Sequence, residues 1–229
     1  LFHWWDDPRP APDTTARRAI RAAEPEERRM PHDHHDPAPA VPIPDQENPL
    51  FPTWRKPADK SLGEWLTSRT ARRAARTYDW GALGWQAEVD PKYKRAQTRY
   101  IGVGAAGAKT DANTVPAEHF TFSTMILPAG CEGPLHVHHD VEEAFFILKG
   151  YGLKFFFEYK GERWETELGE RDIISVPPGI YRGLVNTGPE EALMVVMLGA
   201  NVPDLPDYPP EHPIAVAKAA RRAKAAAKA

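Results

Sequence analysis

The residues best suited to metal chemistry fall in one short stretch, Gly130 to Gly150, spaced as G-x5-H-x-H-x4-E-x6-G. His136 and His138 stand one residue apart. On a strand both imidazoles therefore point to the same face, because side chains alternate with a period of two. A polar turn follows, and the apolar run Ala144 to Leu148 reads as the returning strand, with Glu143 at its start. Two imidazoles and a carboxylate converging from adjacent strands can hold a divalent metal, and this donor set with open positions suits non-haem Fe(II). By the same alternation His139 faces away from His138 and ranks below the other three.

Downstream, Arg171-x5-Pro177-Pro178-Gly179-Ile180-Tyr181-Arg182-x3-Asn186 forms a second patterned stretch. Together the two stretches resemble the paired signature motifs of the cupin superfamily. The first matches at every spacing. The second keeps its proline, glycine and asparagine, but Arg171 stands where the pattern opens with glycine and Arg182 where it has a metal-ligand histidine. The resemblance covers roughly residues 96 to 200 and implies an all-β fold, a double-stranded β-helix (jelly-roll) barrel with the metal near one mouth. A guanidinium stays charged and offers no lone pair, so Arg182 cannot ligate. Two readings stay open. Either one divalent metal sits on His136, His138 and Glu143, Fe(II) favoured with Zn, Mn or Ni as alternatives, or the altered motif has lost its metal.

The surrounding pattern supplies the elements that must position these groups. Residues 120–126, 144–148, 153–159, 163–168, 172–176, 180–185 and 192–198 are short runs rich in aromatic or branched side chains, separated by glycine or proline turns. Even spacing of that kind argues for a sandwich or barrel. Strand parity places Phe145 and Ile147 inward beyond Glu143, with Phe122 and Thr124 as neighbours on the facing strand and Tyr181 turned outward. An apolar pocket with a metal at one end and Arg182 beside it suits an aromatic or other small organic acid. Arg182 would grip the carboxylate in a bidentate fork, or it would instead form an ion pair with Glu142 or Glu143. Arg182 and Glu143 are the candidate catalytic residues. What the resemblance implies is led by an oxygenase of the dioxygenase type. A lyase or isomerase using the ion as a Lewis acid and a non-catalytic binding barrel are the alternatives.

The flanks divide into an extended arm over 1–57, a helical and loop segment over 58–95, and a connector with a basic helical tail over 201–229. The arm holds half of the 24 prolines, which fix the backbone and remove amide donors. Asp13 to Arg29 could form a short helix within it. Trp4, Trp5, Phe51 and Trp54 are unexpected in a free disordered segment, so the arm is expected to pack on the barrel or on a neighbouring subunit. The cluster His32-Asp33-His34-His35-Asp36 reads as a solvated loop rather than a metal site. Ser61-Leu62-Gly63-Glu64 has capping-box spacing and predicts a helix through about Thr77, with Arg69, Arg72, Arg73 and Arg76 as a solvated basic face. Gly102 to Gly107 matches G-x-G-x-x-G, but a loop follows it, with no acidic residue at the required distance, so it reads as a turn. The tail from Ile214 is alanine-rich and helical in propensity, and reads as solvated.

Composition excludes several function classes. A net charge of −3 gives no general reason to bind nucleic acid. The single cysteine, Cys131, rules out an internal disulfide framework and fits a reducing compartment. The longest apolar run, Ala192 to Leu198, is too short to span a membrane, and the first residues lack the basic and apolar regions of a signal peptide. A cytoplasmic protein acting on a small molecule, as a homodimer through a sheet face and the arm, is the expectation.

Overall fold

The structure, a computed structural model, describes residues 55–103 and 114–227 of the chain. The arm's tryptophans, the His32–His35 cluster, the helix expected at 13–29 and most of the glycine-rich turn lie outside the described residues.

Among the described residues, nine strands form two antiparallel sheets. The larger runs in the order β1-β2-β9-β4-β7, from Ala96–Ile101, Thr121–Leu127, Ala192–Leu198, Glu143–Lys149 and Ile173–Val176. The smaller runs β3-β8-β5-β6, from Glu132–His136, Tyr181–Asn186, Leu153–Tyr159 and Glu162–Leu168. Seven of the nine match the expected runs to within about a residue. The inner faces meet in one apolar core that includes Leu127, Phe145, Ile147, Phe155, Leu184 and Met194. Each such side chain contributes roughly 1.5–3 kcal/mol by leaving water.

Turns close this core where the motifs put their special residues. Gly150 has φ +118°, and a Cβ there would come within 2.9 Å of Ala192, so both backbone and space demand glycine. Asn186 is fully buried and donates through Nδ2 to the carbonyls of Leu127 and Glu190, while its Oδ1 accepts from the Gly188 amide. It thereby ties two turns at one end of the barrel.

Two expectations fail on local grounds. The helix opened by Ser61 has its full capping box, with the Glu64 amide donating to Ser61 Oγ and the Ser61 amide to Glu64 Oε2. This helix, α1, covers only Leu62–Ser68. Thr70 Oγ1 and Ser68 Oγ take up the carbonyls of Leu66 and Trp65, and no residue of α1 is buried to favour extension. In β2 the inward parity is the reverse of that expected for Thr124. Met125 and Leu127 enter the core, whereas the Thr124 hydroxyl meets Tyr78 Oη at 3.3 Å.

Beyond β9 the chain doubles back over the barrel. Val137 and Asp207 exchange backbone hydrogen bonds of 2.8 and 2.9 Å, which lays the connector beside the histidine segment. Helix α3, Pro213–Ala226, then starts on His212, whose Nδ1 accepts from the Ile214 amide. Ile214 is fully buried against Tyr93 and Tyr208. The tail is therefore docked at its first turn rather than solvated throughout. Before the barrel, the short helix α2, Gly84–Ala87, delivers Gln86 into the interior.

Candidate metal centre

His136 closes β3, His138 follows two positions later, and Glu143 opens β4. Their ligand atoms all lie within 4.8 Å of one another, and all three residues could hold one metal ion. The rings of the two histidines stand edge to face at 5.4 Å. His136 Nε2 lies 3.3 Å and His138 Nε2 4.0 Å from the same oxygen, Glu143 Oε2.

The donor set fits a cation. His136 Nδ1 lies 2.8 Å from the Pro134 carbonyl, which can only accept, so Nδ1 carries a proton. Nε2 therefore either carries a second proton toward Glu143 or presents a lone pair to an oxygen that is itself an acceptor. A divalent ion in place of that proton satisfies both groups, and a backbone carbonyl holding the far nitrogen is how metal-ligating imidazoles are oriented. His138 is buried, and burial pushes its pKa down to about 4, leaving a neutral ring able to ligate at neutral pH. Its Nδ1 is buried with no partner among the described residues. Burial pushes Glu143 up, but the hydrogen bond and charge of His136, with His138 and Arg182 beside it, outweigh that and keep the carboxylate ionised.

Arg182 pairs with His136 across β3 and β8 and is 0% exposed. Its Nε donates to Glu143 Oε2 at 2.9 Å and its Nη1 to the Ile180 carbonyl at 2.8 Å. The ion pair with Glu143 is thus formed; Glu142 instead meets Ser175 Oγ. His139 is exposed and faces Asp207, apart from the cluster.

A cavity of about 300 Å³ opens beside the three ligands. Phe122 and Phe145 line it, whereas Thr124, Ile147 and Arg182 do not. Ile147 is part of the core below, Thr124 faces Tyr78, and Arg182 lies behind Glu143. Gln86, Arg95 and Tyr208 line it as well, joined by hydrogen bonds. Burial raises the Tyr208 phenol to about 12, so it remains protonated. Sequence reasoning missed these three. One signal was present: Arg95, Gln97, Arg99 and Ile101, at alternate positions, all face the cavity, the mark of a strand.

A barrel of two antiparallel sheets with a buried His/His/Glu cluster at one mouth defines the class: a jelly-roll protein with a candidate metal site. Residues 123–198 match the family model described as a cupin domain, so this stretch of the chain is a cupin domain. No curated protein matches the sequence significantly. Among solved structures, the chain is similar to DMSP lyase DddQ from Ruegeria pomeroyi DSS-3, at 19% identity, TM-score 0.47, and coverage of 71% of this chain and 76% of that one. It is also similar to a recombinant oxalate oxidase in complex with glycolate, at 18% identity and TM-score 0.42, over 52% of this chain and only 57% of that one. For a Lactobacillus farciminis oxalate decarboxylase formate complex the values are 12%, 0.39, 48% and 30%. Likenesses at this level carry no reaction over to this chain. No helix among the described residues is long and apolar enough to cross a membrane.

Proposed function

We propose that the protein is a metal-dependent cupin enzyme, an oxygenase acting on a small aromatic or other organic acid. His136, His138 and Glu143 are its metal ligands. The observation that carries this reading is the convergence of these donors, within 4.8 Å of one another, on the floor of a cavity large enough for a small molecule. Bound Fe(II) would supply dioxygen chemistry at its open positions, whereas Zn, Mn or Ni would supply Lewis-acid chemistry for a lyase or isomerase. Phe122 and Phe145 offer apolar walls to the substrate, and Glu143 is oriented by Arg182, which acts through it. The chain pairs as a homodimer in this reading, in keeping with exposed Trp164 and Ile173 on the outermost strands of the two sheets. Light scattering on the purified protein tests that; a monomer at working concentration removes it.

One observation favours a second reading, a binding barrel without metal: the Arg182 charge already balances Glu143. Metal content by mass spectrometry separates the two, measured on the wild type and on His136→Ala and His138→Ala. Near-stoichiometric metal, lost in both variants, is expected, and its identity chooses between oxygenase and Lewis-acid chemistry. Trace metal that is unaffected by either variant and not restored on reconstitution would leave the binding barrel.

A further inference from the structure

The charges lining the cavity are one-sided. Among the described residues, Glu143 is the single acidic lining residue, against Arg95, Arg99, Lys218, Arg221 and Arg222. Three of the basic groups near it are paired: Lys218 with Asp207, Arg221 with Glu88, and Arg182, behind the cavity wall, with Glu143. Arg95 differs. It is 8% exposed, its Nη1 donates to the Tyr93 carbonyl at 3.0 Å and its Nη2 to Gln86 Oε1 at 2.7 Å. Both acceptors are neutral, and no carboxylate among the described residues lies within ion-pair reach of it. A guanidinium has five N–H donors, so three are left.

Burial pushes Arg95 down to about 10, which still leaves it charged at neutral pH. Glu143 acts on it only at a distance, and a buried charge whose direct partners are all neutral is costly, a cost that a charged ligand relieves. The side chain is also held in place. Gln86, 2% exposed, accepts from Arg95 at one end and donates from Nε2 to Tyr208 Oη at 2.9 Å at the other. Gln86, Arg95 and Tyr208 come from α2, the start of β1 and the connector, three segments outside the two motifs.

We infer that Arg95 is the anion anchor of this cavity, so that the substrate is an organic acid whose carboxylate docks on its guanidinium while its other end reaches His136, His138 and Glu143. Arg182 is thereby relieved of that role. Only the placement of the far end rests on the metal-site reading. The volume, at the lower end for ligand pockets, suits an acid about the size of benzoate or a short dicarboxylate.

Matched acids and amides test the charge preference directly: benzoate against benzamide, and succinate against succinamide. Binding is read by Trp85 fluorescence, since Trp85 lines the cavity, on metal-free and metal-loaded full-length protein. The wild type is expected to bind at least one acid tighter than its amide by about tenfold or more, as a charge-assisted fork should. Arg95→Met should abolish that preference while leaving metal content intact. Arg95→Lys should recover only part of it, because a point charge does not replace the fork. No preference in the wild type, or a preference that survives Arg95→Met, overturns the inference. If the variants fail to fold by circular dichroism, a crystal structure of the wild type with the preferred acid decides, and a carboxylate placed away from Arg95 overturns it. Stoichiometric metal without a charge preference defeats this inference alone; a charge preference in a protein that takes up no metal defeats the metal reading alone.

Discussion

The two patterned stretches carry unequal burdens. The stretch from Gly130 to Gly150 delivers all three candidate ligands and closes on a glycine that nothing else could replace. The stretch from Arg171 to Asn186 retains the backbone work, with Gly179 at φ +85° and Asn186 tying its turns, but puts an arginine where the family pattern has a ligand. Turn geometry and metal ligation are therefore separable within one motif. A sequence can alter one and keep the other, and here the altered position was converted into a charge partner for the surviving carboxylate.

The largest test of that view is to break the pair. Glu143→Gln leaves Arg182, whose side chain is 1% exposed, as a buried charge without a counter-ion. Removing one member of a buried pair costs about 3–5 kcal/mol. Chemical denaturation should show a loss of that order, together with metal content falling to trace. The double variant Arg182→Met with Glu143→Leu should recover most of the stability and none of the metal, because an apolar replacement of both partners is often neutral. A single variant as stable as the wild type would mean that the pair does not form in solution.

Next comes the reverse conversion, Arg182→His, which restores the family pattern. Position 182 sits opposite His136 in the β3–β8 register, and its side chain already reaches Glu143 Oε2. An imidazole there is expected to join the three existing donors. Even a hydrogen bond to a ligand moves metal affinity by about 10–100-fold, so a fourth direct ligand should slow removal by a chelator by at least about tenfold. If chelation is no slower, Arg182 is not standing in a ligand's place.

Both comparisons bear on how much could be read from the residues alone. The strands from 120 onward were legible because short apolar runs punctuated by glycine and proline leave few alternatives. His136, His138 and Glu143 were legible because their spacing is local. Arg182 could be disqualified as a ligand on chemistry, and an ion pair with a neighbouring glutamate was one of its two readings. What stayed hidden is the part of the cavity wall built by Gln86, Arg95 and Tyr208. Gln86 and Arg95 stand nine positions apart, but Tyr208 is distant from both and meets them only through tertiary packing, bonded to Gln86 across 122 positions. Thr124 was misplaced because the inward face of β2 mixes Thr121 and Ser123 with Met125 and Leu127, so polarity does not mark which face is buried. The tail was read as solvated because an alanine-rich helix shows no strong apolar stripe, yet the single buried Ile214 is enough to dock its first turn.

The smallest effect concerns the other departure in the second stretch. Arg171 stands where the pattern has glycine and adopts φ +70°, a left-handed conformation that L residues other than glycine pay for sterically. Its amide still donates to the Ile147 carbonyl at 2.9 Å, so the turn is held in this shape by the barrel around it. Left-handed backbone costs a non-glycine residue about 1–2 kcal/mol, and the extra freedom glycine has when unfolded takes back about 0.5–1 kcal/mol. Arg171→Gly should therefore stabilise the protein by about 0.5–1 kcal/mol in denaturant midpoint experiments, with metal content unchanged. Stabilisation with unchanged metal would complete the separation of the motif's two jobs. A loss of stability would mean instead that the Arg171 side chain makes up for its backbone, and that this position too was converted rather than merely tolerated.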